Sequence, residues 1–213
     1  MTPKAKLALW EVGCVLWVCF AGSLLHFAFE LSEYWQPMAL IAAVNESAWE
    51  HTKMYFWPGL VFALVQYTYT RHLHNNYWQG KAAALALTPA AIFALYYGYL
   101  GYVRVTDGQA NLATMLSIMV LAISLAQLVS YRILTAAPFP PEKRRFAAAT
   151  FAVLLLAYST FTYFPPRLFL FENFYCYRYT NEFGVLDDYE PYRIFSRVGD
   201  DPSARVNYCN VAG

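Results

Sequence analysis

Four or five stretches of about twenty residues carry almost no charge, and that length matches the hydrocarbon thickness of a bilayer. This pattern constrains the chain more than any motif does. Composition agrees with it. The 213 residues are 59% hydrophobic and 14% charged, whereas average soluble usage has about a quarter charged residues. A disordered chain and an ordinary soluble domain are both set aside. A formal net charge of +1 from 15 basic and 14 acidic residues supplies no clustered basic surface, so nucleic acid is excluded as a partner. The expected fold is all-α: an integral membrane bundle of five transmembrane helices over residues 1–164, followed by an exported, aromatic-rich C-terminal tail over 165–213.

The first apolar run extends from Leu7 to Leu31 and is too long for a signal peptide. The second starts after Asn45, where Ser47 and Glu50 have capping-box spacing, and ends near Arg71 with Pro58 inside it. Between them Met38 to Val44 is too short to span, which reads as an interfacial or re-entrant segment. Helices 3 to 5 are expected over Lys81–Tyr102, Ala110–Leu134 and Arg145–Phe164, where Pro165-Pro166 ends the last one. Lys4, Lys6, Arg71, Lys81, Arg132 and Lys143 to Arg145 flank one side, and the acidic residues gather on the other. The positive-inside rule then puts the N-terminus on the cytoplasmic side and the tail outside. In the tail, Cys176 and Cys209 would meet an oxidising compartment and are expected to form a disulfide. Glu11, near the start of helix 1, is expected to pair with Lys4 or an inner-loop arginine.

The chemistry concentrates at the far ends of helices 1 and 2. His26 and Glu30 are four apart and share one helix face. Glu46 and Glu50 form a stripe on helix 2, with Ser47 and His51 beside it. The topology brings both groups to nearly the same depth, and ionisable groups there face a partner, a cavity or an ion. A divalent metal satisfies the set, since imidazole and carboxylate suit zinc, iron or manganese. The ligand candidates are His26, Glu30, Glu46 and His51. The catalytic candidates are Glu46 and Glu50 as general base and Ser47 to orient water or substrate. A competing reading has no metal: Lys53 pairs with Glu50 or Glu46, His51 donates to Glu30, and Ser47 only caps the helix. That network carries somewhat more weight, because side chains near a helix end can reach water. Haem is disfavoured by the carboxylates beside both histidines.

Asn45-Glu46-Ser47-x-Trp49-Glu50-His51-x-Lys53, followed by Phe56-Trp57-Pro58, resembles an uncharacterised family of bacterial multi-pass membrane proteins. The resemblance covers this motif, the His26 helix and Phe164-Pro165-Pro166, and it implies a bacterial inner membrane but no activity. Ser47-x3-His51 is also faintly similar to the seven-helix zinc-dependent ceramidase-like hydrolases, although the later His-x3-His pair of those enzymes and two helices are missing. Two functions follow as expectations. One is a His/Glu metal or substrate site at the outer leaflet, with metal-assisted hydrolysis of a lipid-like substrate as its catalytic form. The other is a non-catalytic accessory subunit of a larger membrane complex that docks through its tail.

Overall fold

A computed structural model describes residues 1–106, 108–166 and 168–172. Among them are five α-helices: α1 (Pro3–Leu31), α2 (Ala48–Thr70), α3 (Tyr77–Val105), α4 (Leu112–Leu134) and α5 (Glu142–Thr160). The described residues contain no strand. Each helix falls on one of the expected runs, with ends shifted by a few residues. Met38–Val44 does not span: it begins as a single 3-10 turn, Gln36–Leu40, and buries Ala39, Ala42 and Val44 against Phe29. Cys176, Cys209 and their expected disulfide lie outside the described residues, as does nearly all of the tail.

The expectation of five membrane-spanning helices needs correction. Three helices, α1, α3 and α4, are long and apolar enough to cross a membrane. The other two are helical but too polar to meet that standard. α2 carries Glu50, His51, Lys53 and Gln66, and α5 opens on Glu142-Lys143-Arg144-Arg145. Exposed side chains on α1 support a lipid environment independently. Leu9, Val12, Leu16, Phe20, Leu24, Phe27 and Leu31 recur every three or four residues, and all are exposed. They form one continuous apolar stripe of a kind that soluble monomers rarely leave in water.

The chain divides into two compact units. The first comprises residues 1–22 and 55–154. In it α1 turns Leu7, Glu11, Cys14 and Val18 inward, and α3 packs closely on α4. Asn76, just before α3, ties that helix to the segment after α4. Its amide donates to the carbonyls of Ile133 and Ala137, and its oxygen accepts the Phe139 N–H at 2.8 Å. Close approach of α3 to α4 depends on Gly80, where an added Cβ would overlap the Leu134 side chain and sit 3.2 Å from the Ser130 carbonyl oxygen. Gly80→Val should therefore cost about 1–3 kcal/mol through overpacking, seen as a lower thermal midpoint in detergent. Gly98, with nothing within 4 Å of a new Cβ, should accept alanine without loss.

The second unit comprises residues 23–54 and the described residues from 155 onward. α1 ends in a tight turn in which Glu33 (φ 54°) and Tyr34 (φ 58°) both take the left-handed conformation, which is uncommon for residues other than glycine. Tyr34 stacks edge-on to Phe29, and the chain reverses into the buried Ala39–Val44 segment. Trp49 lies among the rings of Tyr158, Phe161 and Phe171, fastening the start of α2 to the end of α5 and the turn after it.

Candidate metal centre

Two local devices fix the start of α2. Ser47 Oγ accepts the Glu50 N–H at 3.3 Å, and Asn45 Oδ1 accepts the Ser47 N–H at 2.8 Å. The capping spacing read from the sequence thus forms its first half. Its second half differs: the Glu50 carboxylate turns to the Val44 N–H at 3.1 Å instead of back to the cap. Ser47 is fully buried, and its hydroxyl serves the helix start.

Glu50 also belongs to a closed polar network. Lys53 Nζ donates to Glu50 Oε2 at 2.5 Å, to the Ala39 carbonyl at 2.6 Å and to Thr162 Oγ1 at 2.7 Å. Thr162 Oγ1 in turn donates to Glu50 Oε1 at 2.9 Å. Every donor of the ammonium finds an acceptor and both carboxylate oxygens are occupied, which buried charges require. This network contains the Lys53–Glu50 pair expected from the sequence. Thr162 and the Ala39 carbonyl had no sequence signal, because their roles arise only from packing.

Glu46 stands apart from this network and lies between two histidines. His51 Nε2 is 3.3 Å from Glu46 Oε2, and His26 Nε2 is 3.6 Å from Glu46 Oε1. One ligand atom from each of the three lies within 4.8 Å of the others. Two ligands about 2.0–2.1 Å from a tetrahedral zinc lie roughly 3.3–3.5 Å apart; the two short separations go to different oxygens of Glu46, so an ion held by all three residues would draw their ligand atoms closer than the 4.8 Å within which they lie. His51 Nδ1 lies 2.8 Å from the Ser47 carbonyl oxygen. A carbonyl can only accept, so Nδ1 carries a proton and Nε2 is the nitrogen directed at Glu46. Metal-ligating histidines are commonly oriented by such a bond. Burial works against the Glu46 carboxylate, but the hydrogen bond from His51 and the charges of His51 and His26 outweigh it and hold the carboxyl below its ordinary value.

A cavity of about 180 Å³ is lined in part by His26, Glu46 and Glu30. At about 30 Å³ per water this accommodates roughly six waters. Glu30 is exposed and lines the cavity without joining the tight group of three. Of the residues singled out from the sequence, the fold thus brings His26, Glu46 and His51 together, leaves Glu30 at the cavity wall, and engages Glu50 and Ser47 elsewhere. His74 packs on Tyr77, with ring centroids 4.5 Å apart, in the other unit.

A family model described as a family of unknown function, DUF6512, matches residues 2–184. The matched region contains the whole Asn45–Lys53 motif and all three residues of the group. No curated protein and no solved structure matches the chain.

Proposed function

Because the chain belongs to the DUF6512 family, a family of unknown function whose model spans most of its length, its chemistry has to be sought in its own residues, and we propose a membrane protein with a divalent metal centre held by His26, Glu46 and His51. The observation that carries this reading is Glu46 lying between two imidazole nitrogens at 3.3 and 3.6 Å, one of them oriented through the Ser47 carbonyl. Two histidines and a glutamate with a fourth position left open form a ligand set used by catalytic zinc. Zinc fits best, with iron or manganese as the other ions these ligands suit.

The proposed reaction is hydrolysis of an ester or amide in a lipid-like substrate at the outer leaflet. A metal held by His26, Glu46 and His51 would supply an activated water and polarise the carbonyl. Glu30, rather than Glu50, is the proposed general base, since it lines the cavity and Glu50 is committed to Lys53 and Thr162. The water oxygen bonds to the carbonyl carbon, its proton passes to Glu30, and that proton leaves with the departing alkoxide or amine as the carbon–heteroatom bond breaks. The proposed orientation keeps the N-terminus cytoplasmic and this centre on the exported face. The accessory-subunit reading rests on the tail, nearly all of it beyond the described residues.

Elemental analysis of protein purified without chelator tests the proposal. Close to one zinc per chain is expected, with at least tenfold weaker binding in His51→Ala and Glu46→Gln. Occupancy should fall as the solution is acidified, because protons compete for imidazole nitrogen. Absence of bound metal, together with variants as stable as the parent, would eliminate the centre.

A further inference from the structure

In the first unit, α1 and α4, both long and apolar enough to cross a membrane, border a groove of about 430 Å³. Val12, Val15 and Leu16 line one side of it, and Ser124, Leu128 and Tyr131 the other. Val12, Leu16 and Leu128 are exposed, so the groove opens on the lipid side of these helices. Leu7 and Leu134 share a buried cluster against which Tyr131 also packs. The start of α1 therefore meets the end of α4, and the Tyr131 end of the groove lies there. Lys4 stands four residues before Ala8, another lining residue, and Arg132 stands four residues after Leu128. Four residues make about one helical turn, so each cation continues one wall of the groove beyond that end. Both are exposed, and neither forms an ion pair among the described residues. Glu11 is the acid on the groove wall, and its charge is met from within the unit. Its Oε1 accepts from Gln66 Nε2 at 2.8 Å and from Lys81 Nζ at 2.6 Å. Its Oε2, unpartnered among the described residues, is buried away from solvent.

We propose that this groove binds an anionic phospholipid, with one acyl chain between α1 and α4 and the phosphate held by Lys4 and Arg132. The walls select the chain: they are mostly apolar, open to the bilayer, and enclose a volume within the roughly 300–1,000 Å³ of small-molecule sites. The two cations select the head. Basic residues beside a membrane span attract anionic lipids, and an arginine can bond two phosphate oxygens at once. Their long stems let the charges reach headgroup depth. A zwitterionic lipid also carries a phosphate, but its ammonium would approach the same cations. A soluble anion would meet the cations and leave the groove unfilled. A second copy of this chain, packed on this face about a two-fold axis, would set these cations against their own copies. The site shares no residue with the metal centre and stands or falls independently of it.

The test uses the full chain in phosphatidylcholine nanodiscs with a phosphatidylglycerol probe carrying a diazirine on one acyl chain, and mass spectrometry maps the labelled peptides. Labelling should be saturable and concentrated on the segments of α1 and α4 that line the groove. Unlabelled phosphatidylglycerol should compete about tenfold better than added phosphatidylcholine, and glycerol phosphate, the head without a chain, should not compete. Lys4→Gln combined with Arg132→Gln should weaken labelling about thirtyfold, the factor for two cations near an anionic lipid. Lys143→Gln combined with Arg144→Gln removes the same charge from α5, which lends no residue to the groove, and should leave labelling within about twofold of the parent. Ser124→Trp should fill the groove and displace the label from it. Equal competition by phosphatidylcholine, competition by glycerol phosphate, or an equal loss in the two charge variants would overturn the proposal. So would label scattered over all lipid-facing helices, or cross-links joining α1 of one chain to α4 of another.

Discussion

Lys53→Met is expected to cost about 3–5 kcal/mol, the range for removing one partner of a buried ion pair. Lys53 is fully buried, and its ammonium donates to the Ala39 carbonyl, the Glu50 carboxylate and Thr162. Methionine keeps the approximate shape and leaves a carboxylate stranded in a place closed to water. Thermal unfolding in detergent should then show a midpoint lower by on the order of 10 °C. The double variant Lys53→Met with Glu50→Gln should regain part of the loss, since no charge is then left without its partner. A single variant as stable as the parent would show that the pair does not form. The network also bears on the metal centre, because Glu50 bonds the Val44 N–H just before Asn45 and Glu46. Loosening it should weaken metal binding even though Lys53 touches no proposed ligand.

Lys81→Met is expected to have a comparable effect in the other unit, also about 3–5 kcal/mol. Lys81 is 2% exposed and lies 2.6 Å from Glu11, which would keep only the neutral Gln66 amide as a donor. Ionisable groups on a helix of membrane-spanning length are costly unless paired with one another. Glu11→Gln added to Lys81→Met should restore much of the loss, and this double-mutant cycle measures the coupling directly. Little recovery in the double variant would mean that Lys81 acts through its apolar stem and not through its charge. The two clusters differ in completeness: around Lys53 every donor and acceptor is matched, whereas around Glu11 an oxygen is left over.

Much of this architecture was legible in the sequence because it rests on local rules. Runs of apolar residues located all five helices within a few residues, and the Ser47-x-x-Glu50 spacing located the start of α2. Which helices are apolar enough to cross is less legible, because α2 carries Glu50, Lys53 and Gln66 beside a long apolar run and the basic start of α5 shortens its apolar part. The group at the ends of α1 and α2 was visible as a set of six residues, yet its division was not. Spacing alone puts Glu46 and Glu50 on one stripe, whereas α2 begins at Ala48 and leaves Glu46 ahead of the helix. Only folding decides that Glu50 meets Lys53 and Thr162 while Glu46 meets the two histidines.

Glu11 marks the boundary most clearly. Its place on the inward side of α1 with Leu7, Cys14 and Val18 follows from a period of 3.6 residues, which any reader of the letters can count. Its partner does not follow. Lys4 is close along the chain, but Lys81, seventy residues away, is the cation that the packing of the first unit delivers. The sequence by itself determined that the chain is helical, suited to a membrane, and polar at particular helix positions, because helix formation and burial in lipid depend on neighbours a few residues apart. The tertiary structure alone decided which acid meets which base and which oxygens remain unmatched, because a hydrogen bond requires atoms within about 3 Å, and separation along the chain does not set that distance.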